Sequence, residues 1–204
     1  MIVKELRPAR RDAPTVELID SLNGPAVRKS YKSCSFFVRE VVGRLAIQRE
    51  CWALGKLRGS EHAPSVWDRP DHYTVLSQFV EGTPLELLSP EEVEPRRLRQ
   101  QASSLLETLA RAGLAHGDLG HDHWQEMGRE CNLIWTPDQR LVAIDFAGAV
   151  PLRAPFHLGR ALQCHDRLLA TKLSHHFYPH DMVRSEGVDW PQGLWELLRL
   201  LGKV

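Results

Sequence analysis

The chain has 204 residues, 43% hydrophobic and 25% charged, a globular composition with enough length for one domain to bury its own core. Its 26 basic residues balance 26 acidic ones, so bulk charge points to neither nucleic acid nor an anionic membrane. Four scattered cysteines lack C-x-x-C spacing, and no apolar run approaches a membrane span, so a soluble cytoplasmic protein is the expectation. Local charge is uneven. Residues 1–60 hold twelve Lys/Arg and six Asp/Glu, whereas 61–95 hold one basic and eight acidic residues. The first stretch suits a polyanion such as nucleotide phosphates, or simply a solvated basic face.

Strands are predicted over 2–6 and 15–19, around the loop 7–14 that carries Arg7, Arg10 and Arg11. Turn chemistry at Asn23-Gly24-Pro25 precedes a third strand over 26–31. From 36 to 57 the period becomes helical. Ala46, Glu50, Ala53, Leu54 and Leu57 share one face, which sets the charge of Glu50 within an apolar stripe. A strand follows over 73–80. Residues 98–109 form an amphipathic helix, with Leu98, Ala102, Leu105, Leu106 and Leu109 on one face and Gly113 closing it. A hairpin is predicted from 131–135 and 141–146, joined through Thr136-Pro137-Asp138. Helices over 159–173 and 193–201 complete the chain. The order, strands with one helix and then mainly helices, suggests two lobes with a boundary near 81–88.

The chemistry concentrates in His116-Gly117-Asp118-Leu119, then Asn132-Leu133-Ile134-Trp135, then Ile144-Asp145-Phe146-Ala147-Gly148. Phosphoryl transfer needs positioning and cations more than covalent help. One aspartate must meet the attacking hydroxyl, and another must hold hard divalent metal through oxygen. An Asp after an amphipathic helix and a second at the end of the following hairpin suit those two tasks.

In motif order, over roughly 15–172, the sequence resembles the protein-kinase-like superfamily. H-G-D-L in place of H-R-D-L is similar to the RIO kinases, the small kinase of the KEOPS tRNA-modifying complex, and the aminoglycoside and choline phosphotransferases. The short chain and reduced C-terminal part look most like the RIO/KEOPS group and the bacterial lipopolysaccharide core sugar kinases. The resemblance implies an α+β, two-lobed kinase-like fold, with a small antiparallel sheet lobe carrying one helix (1–82) and a reduced, mainly helical lobe (83–204). It also implies ATP and Mg²⁺ as cofactors and assigns roles to residues. Lys29 would pair with phosphate oxygens and Glu50 would be its ion-pair partner. Backbone groups near Gln78 and Val80 would bond adenine. Asp118 would be the catalytic base and Asp145 the metal ligand.

Three features depart from the family pattern. The loop 7–14 has no glycine, and its arginines are expected to clamp phosphates instead. The pattern H-R-D-L-x-x-x-N puts an asparagine about five residues after the Asp. Position 123 is His and the next asparagine is Asn132, so either an insertion separates Asp118 from Asn132 or His123 takes its place. No A-P-E segment follows Asp145, which argues for an atypical or small-molecule kinase.

The expected function is phosphate transfer to a hydroxyl. The preferred acceptor is a small or lipid-linked sugar, as in lipopolysaccharide kinases, and a protein serine or threonine comes next. A lipid-linked substrate would bring peripheral membrane association, and no nucleic-acid partner is expected. The alternative is a pseudokinase or an accessory nucleotide-binding scaffold. A histidine-based metal site at His121, His123, His175, His176 and His180 is a minor reading beside a His-rich surface.

Overall fold

The computed structural model describes residues 2–119, 131–154 and 157–177, apart from the side chains of 169–172 and 174–176. The chain divides into two compact units: Met1–Glu81 with Asp145–Ala149, and Gly82–Ile144 with Val150–Val204. The short segment from Asp145 belongs with the N-terminal unit.

The first unit is built on a five-stranded antiparallel sheet of β1 (Ile2–Arg7), β2 (Thr15–Ser21), β3 (Gly24–Ser30), β4 (Val66–Asp71) and β5 (Thr74–Gln78), ordered β1-β2-β3-β5-β4. Leu22-Asn23 forms the tight turn between β2 and β3, and Gly24 takes φ +106°, which a side chain would resist. Register then runs unbroken from Thr15 opposite Ser30 to Ser21 opposite Gly24. This register sets Glu17 against Arg28, which form an ion pair at 2.6 Å.

A π-type turn over Val38–Gly43 leads into α1 (Arg44–Lys56). The predicted stripe is the buried one: Ala46, Ile47, Glu50, Ala53 and Leu54 face inward, followed by Leu57. Ile47 and Ala46 join Tyr31, Cys34 and Val75 in a core cluster. Full burial of a side chain such as Ile47 contributes about 1.5–3 kcal/mol. Phe37 and Val41 ahead of α1, and Leu45 in its first turn, are exposed.

In the second unit, α2 (Pro95–Arg111) opens with proline in its first turn, where a missing N–H costs nothing. It buries Leu98, Ala102, Leu105 and Leu109. Gln101, buried on the same face, accepts the Leu141 N–H at 3.2 Å. Two small sheets follow. The short strand β7 (Leu114–Ala115) pairs with β10 (Val150–Pro151), and β6 (Thr83–Pro84) joins the hairpin of β8 (Leu133–Trp135) and β9 (Leu141–Ala143). The hairpin is shorter than predicted because Asp145 turns left-handed, at φ 58° and ψ 70°, instead of continuing the strand. Helix α3 (Leu158–Phe177) packs on α2 and β7. The predicted helix over 193–201 lies outside the described residues. Among the described residues no helix is long and apolar enough to cross a membrane.

Gly43 is where the core cluster is tightest. A Cβ there would lie 2.7 Å from both Cβ and Cγ of Tyr31, atoms too close to the backbone to swing away. Gly43→Ala should therefore lower the urea midpoint, because overpacking costs about 1–3 kcal/mol against a helix-propensity gain of about 0.5–1 kcal/mol. A raised midpoint would show that Tyr31 gives way.

Candidate active site

Lys29 lies at the inward-facing end of β3, and its side chain is 7% exposed. An isolated ammonium cannot be buried so deeply. Two carboxylates compensate: Glu50 Oε2 from α1 at 2.9 Å and Asp145 Oδ1 at 2.6 Å. Burial alone would lower the Lys29 pKa, but Glu50 and then Asp145 outweigh it and hold it well above its usual value. Burial raises the Glu50 pKa against the pull of Lys29, and the like charge of Asp145 adds to the rise. Glu40, the other acid in this region, instead accepts the Tyr73 hydroxyl at 2.9 Å and pairs with Arg39 and Arg44.

Asp145 reaches Lys29 because of its left-handed backbone, which for a non-glycine residue costs about 1–2 kcal/mol. The turn that follows, Phe146–Gly148, packs against α1, with Phe146 fully buried. The Asp145 side chain is 33% exposed. With both carboxylates ionised the trio carries one net negative charge. A partly exposed carboxylate at an anionic site suits Mg²⁺, which binds through one or two carboxylates together with substrate phosphates. An ammonium also carries three donors, more than its two carboxylates require.

Gln78 ends β5, the strand between β3 and the edge strand β4, and Val80 lies two residues beyond it. The Gln78 N–H donates to Ser65 O at 2.8 Å and the Phe79 N–H to Pro25 O at 3.1 Å. Sheet pairing therefore engages the Gln78 N–H, one of the backbone groups near Gln78 and Val80 that the resemblance assigns to adenine. In the glycine-less loop, Arg10 and Arg11 are exposed and Arg7 is half-buried.

The second unit holds Asp118. Its loop is fixed by a chain of hydrogen bonds that starts from a residue the sequence analysis passed over. Asp166, on α3 and 2% exposed, accepts the His116 N–H at 2.7 Å and the Gly117 N–H at 2.8 Å. Gly117 sits at φ +74°, with Leu162 pressed against it. That backbone explains glycine in H-G-D-L, since a side chain there would be strained. The His116 ring contacts Ile144 O at 3.0 Å through Nε2. A carbonyl only accepts, so Nε2 carries the proton. Ile144 N–H donates to Asn132 O at 2.9 Å, and Asn132 Nδ2 donates to Asp118 O at 2.7 Å. Asn132 is thus tied to the backbone of Asp118 despite fourteen residues of separation. His123, like His121 and His180, lies outside the described residues, as do the side chains of His175 and His176. Among the described residues no group of three or more His, Cys, Asp or Glu side chains forms a metal cluster.

These features define an atypical protein-kinase-like fold, and solved structures share it. The Rio2 kinase of Chaetomium thermophilum in an ADP/Mg²⁺-phosphoaspartate complex is 17% identical with a TM-score of 0.61, covering 96% of this chain and 61% of that one. A second Rio2 kinase structure from the same organism is 15% identical with a TM-score of 0.63, covering 96% and 63%. The chain thus spans about three fifths of the length of those kinases. No family model and no curated protein matches the sequence.

Asp166 is a positioning residue, and its removal strands two buried N–H groups. Asp166→Ala should lower stability in urea by about 1–3 kcal/mol for each unsatisfied donor. Asp166→Asn, which keeps one acceptor oxygen, should recover part of the loss. Equal midpoints for wild type and Asp166→Ala would show that water replaces the carboxylate.

Proposed function

We propose that this protein is an ATP- and Mg²⁺-dependent phosphotransferase acting on a hydroxyl. The observation that carries the reading is the buried Lys29 ammonium paired with both Glu50 and Asp145. Further support comes from the kinase-like fold, and from the ADP and Mg²⁺ bound in the solved Rio2 kinase complex.

Lys29, held by Glu50, would bind phosphate oxygens, and Asp118 would orient the acceptor hydroxyl and take its proton. Asp145 and Asn132 would hold the metal, which would supply positive charge against the charge developing on the phosphates. Asn132 is favoured over His123 because its amide is already fixed on the Asp118 loop. The acceptor class we favour is a sugar hydroxyl, small or lipid-linked, with a serine or threonine hydroxyl next. The lack of an A-P-E segment after Asp145 supports that order. A second reading draws on the phosphoaspartate of the solved complex: an aspartate of this chain takes the phosphoryl group and water releases it, so that the protein works as an ATPase within an assembly.

Asp118→Asn should retain Mg²⁺-nucleotide binding while turnover falls about 10²–10⁴-fold, the usual weight of a general base. If variant and wild type turn over equally, Asp118 is not the base. Wild-type binding with no transfer and no hydrolysis would favour a pseudokinase.

The metal assignment has its own test. Asn132→Ala should raise the Mg²⁺ concentration needed for half-maximal nucleotide binding, and His123→Ala should not. The opposite pattern would move the ligand to His123.

A further inference from the structure

Between Asp145 and Asp166 the sequence contains no acidic residue, yet it carries Arg153, His157 and Arg160. In the second unit these three side chains line one open cavity of about 480 Å³ together with Leu152, Ala154 and Gln163. Gly159 shapes its wall. A Cβ at that position would fall onto the Pro151 carbonyl and within 2.6 Å of Leu152 Cα, so glycine lets the start of α3 press against the chain leaving β10. Leu152 and Leu158 anchor this corner by packing on Ala115, Val150 and Leu162. Neither arginine forms an ion pair with another described residue, whereas Arg28, Arg39, Arg44 and Arg140 all do.

Two guanidinium groups without carboxylate partners among the described residues, set around one hollow, make a receptor for a multiply charged oxyanion, because the guanidinium fork matches phosphate oxygens two at a time. The remaining lining extends the specificity. The Gln163 amide and the His157 imidazole are hydrogen-bonding groups suited to hydroxyls. Leu152 and Ala154 offer an apolar wall to a C–H face. The volume falls within the range of small-molecule pockets, about 300–1,000 Å³.

We infer that this cavity binds the phosphomonoester group of a small phosphorylated sugar or polyol, which serves as the phosphate acceptor. The role as acceptor rests on the phosphotransferase reading, but binding itself does not, and it is measured without ATP.

The experiment is calorimetric titration of the full chain with glucose 6-phosphate, glucose and inorganic phosphate at fixed ionic strength. Glucose 6-phosphate should bind, inorganic phosphate should bind more weakly, and glucose should not bind. The double variant Arg153→Gln/Arg160→Gln should weaken glucose 6-phosphate at least tenfold. Both side chains are exposed, so the fold should tolerate the change. Charge reversal by Arg160→Glu alone should also abolish binding. Unchanged affinity in both variants, or equal binding of glucose and its phosphate, overturns the inference. Equal binding of inorganic phosphate and glucose 6-phosphate means an adventitious ion only. A parallel titration with Mg²⁺-ATP separates the two readings. If ATP affinity falls with that of the sugar phosphate, the arginines serve the nucleotide and the inference fails. If Lys29→Met loses ATP but keeps glucose 6-phosphate, the cavity stands as a separate site. If wild type binds glucose 6-phosphate but no ATP, the kinase reading fails while the anion site survives.

Discussion

A buried ammonium group constrains most of the first unit. Lys29 has almost no contact with water, so the sequence must bring negative charge to it from elsewhere. Three separate pieces of local structure serve that requirement. The unbroken β2–β3 register fixes which side of the sheet Lys29 faces. The apolar stripe of α1 carries Glu50 inward with its leucines and alanines. The left-handed backbone at Asp145 turns a second carboxylate back onto the same point. Each element carries a cost, whether desolvation or backbone strain, that makes sense only because the others are present. Such arrangements recur where a ligand is to complete the charge balance.

The second unit solves a different problem, the hydrogen bonding of an irregular loop. The loop bearing Asp118 has no regular structure, so its backbone groups need partners from outside. Asp166, on a helix, accepts two backbone N–H groups and Asn132, beside a strand, donates to a backbone carbonyl, while the His116 ring donates to the Ile144 carbonyl. Loops that carry chemistry work when a rigid scaffold holds them, and here the scaffold touches the loop at several backbone atoms.

The sequence disclosed what periodicity encodes. Glu50 stood out because a charge interrupts an apolar helical stripe, whereas Lys29 was singled out by the resemblance to the kinase-like pattern. Asp166 interrupts the stripe of α3 in the same manner, four residues after Leu162, and the same test applied to that helix would have singled it out. Other features have no such signal. Strand β4 reads Val-Trp-Asp-Arg-Pro-Asp, with three charges and a proline, and becomes a strand only at the sheet edge, where its pairing is irregular. The strands β6, β7 and β10 are two residues long and exist because partners meet them. The exposure of Phe36, Phe37 and Val41 ahead of α1 was also hidden, because the π-type turn there breaks the spacing from which a face is read.

The bond from Asn132 to Asp118 also bears on how this family of folds can vary. The chain leaves Asp118 and returns to it at Asn132, and both ends of the excursion are pinned by one short hydrogen bond. Once the ends are fixed, lengthening the connection is cheap: each doubling adds only about 0.6 kcal/mol of closure entropy. Evolution can therefore rewrite the stretch between these residues in length and composition while the aspartate stays in place. The loop bearing Asp118 becomes a grafting point, where a new segment can be installed without redesigning the scaffold that supports it.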